Sequence, residues 1–74
     1  MAKKENSGKV LRLGLNGAIR IDKILYVSRK DYKESLPEIH VWYEGMSQRF
    51  SFSFDTVAER DGYYKDIIKA MEAL

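Results

Sequence analysis

PEIHVWYEGMSQRFSFSF, residues 37–54, contains two runs of alternating apolar and polar residues separated by EGMS. Alternation with a period of two is typical of β-strands, and a glycine-containing break between two such runs is typical of a hairpin. A two-residue turn at Gly45 and Met46 places Trp42 opposite Arg49. The segment therefore predicts a β-hairpin.

The two faces of this hairpin differ in chemistry. One face is apolar and predicts a core; it carries Ile39, Val41, Phe50, Phe52 and Phe54. The other is mixed and holds the only tryptophan and the only histidine of the chain; it carries His40, Trp42, Arg49, Ser51 and Ser53. The mixed face is either a contact surface or a surface that the rest of the chain or a second subunit covers.

Another hairpin is predicted before this one. Residues 9–15 alternate, with three leucines on one side, and a second strand starts at Ala18. Between them, Asn16 and Gly17 both tolerate the positive φ of a type I′ turn. These residues therefore predict two more antiparallel strands.

The register of the second strand stays open. A regular strand places Arg20 and Tyr26 on the same side as Trp42. A bulge near Asp22 and Lys23 reverses every side chain after it. Residues 28–36 predict a polar connection that ends at Pro37, and the alternative for residues 18–36 is a single helix, since Ile21, Leu25, Ser28 and Tyr32 have helical spacing.

After Phe54 the hydrophobic period changes to that of an amphipathic helix. Thr56 and Glu59 have the spacing of a capping box. The apolar stripe consists of Val57, Tyr64, Ile67, Ile68, Met71 and Leu74. The predicted fold is α+β: an antiparallel four-stranded β-meander with one C-terminal α-helix packed on one face. Residues 1–8 are predicted to be a disordered basic tail, and residues 9–74 a single small domain.

Length and composition limit what this domain can be. A chain as short as these 74 residues buries only about 60% of the surface that it exposes when unfolded, and without cysteine it forms no disulfide. Tight packing of its nine aromatic residues and self-association are the remaining sources of stability, and we expect self-association. One histidine and no cysteine exclude the usual structural zinc sites. The N-terminal residues lack the apolar core of a signal peptide, and the longest apolar run is residues 24–27. We expect a cytoplasmic homo-oligomer with no membrane segment.

No catalytic, cofactor-binding or metal-binding motif accompanies the hairpins. His40 reaches Ser51 across the predicted hairpin, but the sequence marks no third group to orient the histidine. We therefore predict that the protein is not an enzyme and has no cofactor.

Charge bears on the class of partner. The formal net charge is +2, with 13 basic and 11 acidic residues, and residues 10–74 contain ten of each. A neutral body favours a protein partner, bound through the sheet face or a sheet edge. The alternative is single-stranded DNA or RNA, because aromatic rings beside cations on a sheet stack bases and meet phosphates. The residues for this contact are Trp42, Arg49, His40, Tyr26 and Arg20, helped by Lys3, Lys4 and Lys9.

The predicted layout resembles, in outline, the single-stranded-DNA-binding domain of a transcriptional coactivator and many small phage accessory proteins. The resemblance is one of architecture alone, and no signature residue carries over from it; a phage-like accessory or regulatory role is one form that the predicted binding module could take.

Overall fold

The computed structural model describes residues 10–74. Its elements are β1 (Val10–Arg12), β2 (Ala18–Arg20), β3 (Ile24–Lys30), β4 (Glu38–Tyr43), β5 (Phe50–Ser53) and α1 (Val57–Glu72). The strands form two antiparallel sheets, a β1–β2 ribbon and a β3–β4–β5 sheet. The α+β class is confirmed, and the predicted four-stranded meander is corrected to five strands in two sheets. The predicted basic tail lies outside the described residues.

The predicted second strand is divided into β2 and β3. A 3-10 turn, Ile21–Lys23, separates them, and the Ile21 side chain is buried in the core. The predicted strand is therefore interrupted at the point where Ile21 enters the core. The continuous helix considered for residues 18–36 is wrong.

A β-bulge in β3 settles the open register. Ile24 pairs with Tyr43 and Tyr26 pairs with Trp42, which leaves Leu25 as the extra residue. Since the bulge shifts the alternation by one residue, Ile24 and Val27 both pack with the core while Tyr26 lies on the face of Trp42. β3 also extends to Lys30, so the connection to β4 is shorter than predicted.

The first hairpin has a longer loop than predicted. Leu11 pairs with Ile19, and the loop contains a 3-10 turn, Gly14–Asn16. Positive φ falls on Gly14 (65°) and Gly17 (102°) and not on Asn16. The type I′ turn is therefore wrong, because two glycines adopt positive φ at lower cost than one asparagine. As a result Leu15 leaves the strand and is fully exposed.

The second hairpin has the predicted register. Val41 pairs with Phe50 and His40 with Ser51. The turn itself lies one residue earlier than predicted: the Met46 amide donates to the Tyr43 carbonyl at 3.2 Å. Its third residue is Gly45, with φ 77°, the position where a type II turn requires glycine.

Helix α1 begins as predicted. The Thr56 hydroxyl accepts from the Glu59 amide at 3.1 Å, while the Glu59 carboxylate accepts from the Asp55 amide at 3.2 Å. Ile67 is fully buried, but the two ends of the predicted stripe, Val57 and Leu74, are exposed.

The core lies on one side of the three-stranded sheet. Both α1 and the β1–β2 ribbon contribute to it: its buried members are Leu13, Ile19, Ile21, Val27, Ile39, Val41, Phe54 and Ile67. The predicted row of phenylalanines is only partly core, since Phe52 is half-buried and Phe50 is 42% exposed. The opposite sheet face carries Tyr26, His40 and Trp42, and we call it the open face, because α1 and the β1–β2 ribbon both contribute to the core on the other side.

Candidate functional site

A row of aromatic rings crosses the open face. The Tyr26 and Trp42 rings lie 5.1 Å apart with a 50° angle between their planes. The His40 ring lies 6.2 Å from that of Trp42, nearly perpendicular to it. Cross-strand pairing of β3 with β4 brings the first pair together, and the i, i+2 spacing along β4 brings the second.

Arg49 joins this row from the loop before β5. Its guanidinium carbon lies 6.0 Å from the centroid of the Trp42 ring, at the outer limit for a cation–π contact. Four of the five residues predicted from the sequence are therefore close together on the open face: Tyr26, His40, Trp42 and Arg49.

The fifth, Arg20, lies elsewhere. It belongs to β2, in the ribbon packed on the other side of the sheet, and its backbone amide donates to the Tyr43 hydroxyl at 3.1 Å. Its side chain donates to both carboxylate oxygens of Asp22, at 3.0 and 2.9 Å. This hydrogen bond from Arg20 lowers the pKa of Asp22. The prediction placed Arg20 beside Trp42 on condition of a regular second strand, and the turn after β2 breaks that condition.

Glu38 was not predicted from the sequence to belong to this site. His40 is only 5% exposed, and its Nε2 lies 2.8 Å from Glu38 Oε1. The Ser53 hydroxyl donates to the other carboxylate oxygen at 3.4 Å. His40 is thus bonded to Glu38 and not to Ser51, the residue opposite it. The sequence could have predicted this contact, because Glu38 and His40 are two residues apart on a strand and therefore share a face.

Exposed apolar side chains lie at the end of the sheet where β3 begins and β4 ends. Leu25 (68% exposed) and Tyr26 (57%) start β3, while Met46 (49%) follows the turn and Phe50 begins β5. Half-buried Trp42 contacts Tyr26 on the open face, whereas Phe50, which pairs with Val41, contacts Tyr43 on the core side of the same end, with 5.4 Å between the two ring centroids. We call this surface the apolar end; its members are Leu25, Tyr26, Trp42, Met46 and Phe50.

A buried arginine holds the opposite end of the sheet. Arg60, on α1, is 3% exposed and donates to the Lys30 carbonyl at 2.9 Å and to Asp31 and Asp61 at 2.8 Å each. Burial lowers the pKa of Arg60, but hydrogen bonds to the two aspartates outweigh this, so its pKa is raised overall. Arg60 falls on the apolar stripe of the helix, and this position in the sequence indicates that its side chain is buried.

No helix of the described residues is both long and apolar enough to cross a membrane. Among residues 10–74, no three acidic or histidine side chains are grouped in a way that could hold a metal ion. Comparisons with protein families, with curated proteins and with solved structures each gave no match.

Proposed function

We propose that this chain is a small non-enzymatic binding module whose protein partner docks on the apolar end. One observation carries the proposal: four exposed apolar side chains and the half-buried Trp42 lie at one end of the sheet, with Tyr26 and Trp42 on the open face and Phe50 on the core side. Exposed apolar patches of this kind mark interaction sites, and tyrosine, tryptophan and arginine are the residues on which binding energy concentrates.

The bulge at Leu25 supports docking through side chains at this end. A bulge interrupts the regular series of backbone groups that another strand needs for pairing. It also turns Leu25 outwards, beside Tyr26, where two large side chains become available to a partner. At the apolar end, the partner is therefore proposed to contact side chains on the face and end of the sheet, and not to pair with the strand edge.

The partner that we propose first is a second copy of this chain. The rim of the apolar end carries both signs of charge, with Lys23 and Arg49 on one hand and Glu44 on the other, all exposed. In a two-fold dimer the same patch meets itself, so a rim of mixed sign allows each acid to face a base of the other copy. Burying the patch also adds the apolar contact that so short a chain lacks.

Sedimentation equilibrium over a range of protein concentrations tests this proposal. The wild type is expected to dimerise, and the double variant L25S/M46S to remain monomeric at the same concentrations. The matched control is L15S/L36S, which removes two apolar side chains outside the apolar end that are at least as exposed as Leu25 and Met46. A wild type that stays monomeric into the high micromolar range, or a control that loses dimerisation equally, would count against the proposal.

Single-stranded nucleic acid is the second candidate, favoured by the ring row with Arg49 above Trp42. Bases stack on aromatic rings, and phosphates pair with neighbouring cations. Titration with a single-stranded oligonucleotide should then quench Trp42 fluorescence, less strongly at higher salt. R49Q should weaken the quenching, while R20Q serves as control because Arg20 is bonded to Asp22. Absence of quenching at low salt rejects this candidate.

A further inference from the structure

A second surface lies between β3 and the second half of α1. It is a depression of ≈ 450 Å³ lined by residues of both elements: Arg29, Asp61, Tyr64, Lys65 and Ile68. A different, open depression of ≈ 660 Å³ lies on the outer side of the helix. Tyr64 and Ile68 pack against the core from the floor of the depression between β3 and α1. The Arg29 guanidinium lies over the Tyr64 ring, 4.8 Å from its centroid.

The charge of this depression favours an acidic ligand. Asp61 is its one acidic residue, and the Asp61 carboxylate accepts from Arg60 at 2.8 Å and from Arg29 at 3.4 Å. Because Arg60 already holds this carboxylate, Arg29 makes only the longer contact and keeps other N–H donors available. Lys65 adds a second exposed cation on the opposite wall. An incoming carboxylate between Arg29 and Lys65 would meet two cations.

The depression adjoins the outer edge of β3. β3 is an edge strand, and in residues 10–74 its only strand partner is β4. Before β3 the Lys23 carbonyl accepts from the Glu44 amide on the side of β4, and at the other end of β3 the Lys30 carbonyl accepts from Arg60. Between them, alternate residues of an antiparallel edge strand direct their amides and carbonyls away from the sheet. The part of this edge beyond the bulge, residues 26–29, ends beside Arg29.

We propose that the edge of β3 and this depression together bind an extended segment of another protein as an added strand. An acidic side chain of the segment lies between Arg29 and Lys65, and an apolar side chain packs on Tyr64 and Ile68. Backbone hydrogen bonds supply affinity and the depression supplies selectivity, as in strand addition generally. The depression shares no residue with the apolar end, and the edge shares only Tyr26 with it.

Selection from a display library of short random peptides tests the proposal. The wild type should enrich peptides with an acidic residue next to β-branched or aromatic residues. The R29Q/K65Q variant should bind the enriched peptides about tenfold more weakly, because it keeps the shape of the site and removes its charge. K69Q, a cation of the same helix outside the depression, is the control and should bind as the wild type does.

Two further measurements identify the binding mode. Methylation of alternate backbone nitrogens of the peptide should abolish binding, and hydrogen exchange should show protection of residues 26–29. The proposal is overturned if no peptide is enriched, if the enriched peptides lack acidic residues, or if R29Q/K65Q binds them as tightly as the wild type does. It is also overturned if peptide binding survives every backbone methylation. Peptides that bind only with a free C-terminal carboxylate also contradict it. The L25S/M46S variant should retain peptide binding, so failure here is distinguishable from failure of the dimer.

Discussion

Tyr26 and Trp42 are cross-strand neighbours, with ring centroids 5.1 Å apart, on the sheet face opposite the core. Tyr26 is more than half exposed and Trp42 is half-buried, so the pair is a preformed aromatic surface with little left to order on binding. Both proposed partners of this face, a protein and a single strand of nucleic acid, would contact these two rings.

Replacing Trp42 by alanine should lower the free energy of unfolding by about 1–2 kcal/mol, since only part of the ring is buried against Tyr26, His40 and Arg49. The matched variant is Ile39→Ala on the same strand, which removes a fully buried side chain and should cost about 2–4 kcal/mol. Urea denaturation of the monomer followed by circular dichroism measures both. A Trp42→Ala loss larger than that of Ile39→Ala would mean that the open face is covered.

Replacing Arg60 by alanine should destabilise the fold by about 2–4 kcal/mol, because it leaves the Lys30 carbonyl without its buried donor and removes two ion pairs. Arg29→Ala removes an exposed partner of the same Asp61 and should cost less than about 1 kcal/mol. Chemical denaturation of the two variants side by side tests the difference. Equal losses would show that the ion pairs, and not burial of Arg60, determine the effect.

Acid should destabilise the protein partly through Asp61. The hydrogen bond from Arg60 lowers the pKa of Asp61 in the folded state, so below the ordinary aspartate range the unfolded state binds more protons. Stability from this group is therefore complete above that range and is lost as the pH falls towards the folded-state pKa. The D61N variant should be less stable at neutral pH and should lose less on acidification. Thermal unfolding at a series of pH values tests this, with D66N on the same helix as control; an acid dependence of D61N as steep as that of the wild type would be inconsistent.

Two glycine-to-alanine substitutions should have opposite signs. At Gly14, φ is 65° and an added Cβ would lie 2.7 Å from the Tyr63 hydroxyl, so Gly14→Ala should destabilise by about 1–2 kcal/mol. At Gly62, inside α1, an added Cβ meets nothing within 4 Å, so Gly62→Ala should stabilise by about 0.5–1 kcal/mol. Melting temperatures of the two variants provide the test. A stabilising Gly14→Ala would contradict the loop conformation.

The parts of the fold that depend on local patterns were predictable. The alternation in residues 37–54 predicted which side chains of β4 and β5 share a face, because a slip of one residue moves every side chain to the other face. The exact pairing came from the position expected for the turn. Thr56 and Glu59 likewise located the start of α1, since capping depends on residues only three apart.

The parts of the fold that depend on contacts between distant residues could not be predicted from the sequence. The bulge at Leu25 follows from how Ile21, Ile24 and Val27 share one core, and no local signal distinguishes it from a regular strand. The site of Arg60 is of the same kind, because its partners Lys30 and Asp31 lie on another element. The sequence placed Arg20 beside Trp42 only for a regular second strand, and the turn after β2 removes that condition, whereas Tyr26 lies on the face of Trp42 because of the bulge.

The most direct test of the proposed apolar end uses Trp42, the single tryptophan, which lies within it. Its emission and its quenching by acrylamide should be followed while the protein is diluted from high micromolar to nanomolar concentration. We predict that emission shifts to the red and quenching increases on dilution, as the second copy dissociates from Trp42. L25S/M46S should show the red-shifted, readily quenched signal at every concentration. A wild-type signal that does not change with dilution would contradict the proposal that this surface binds a second copy of the chain.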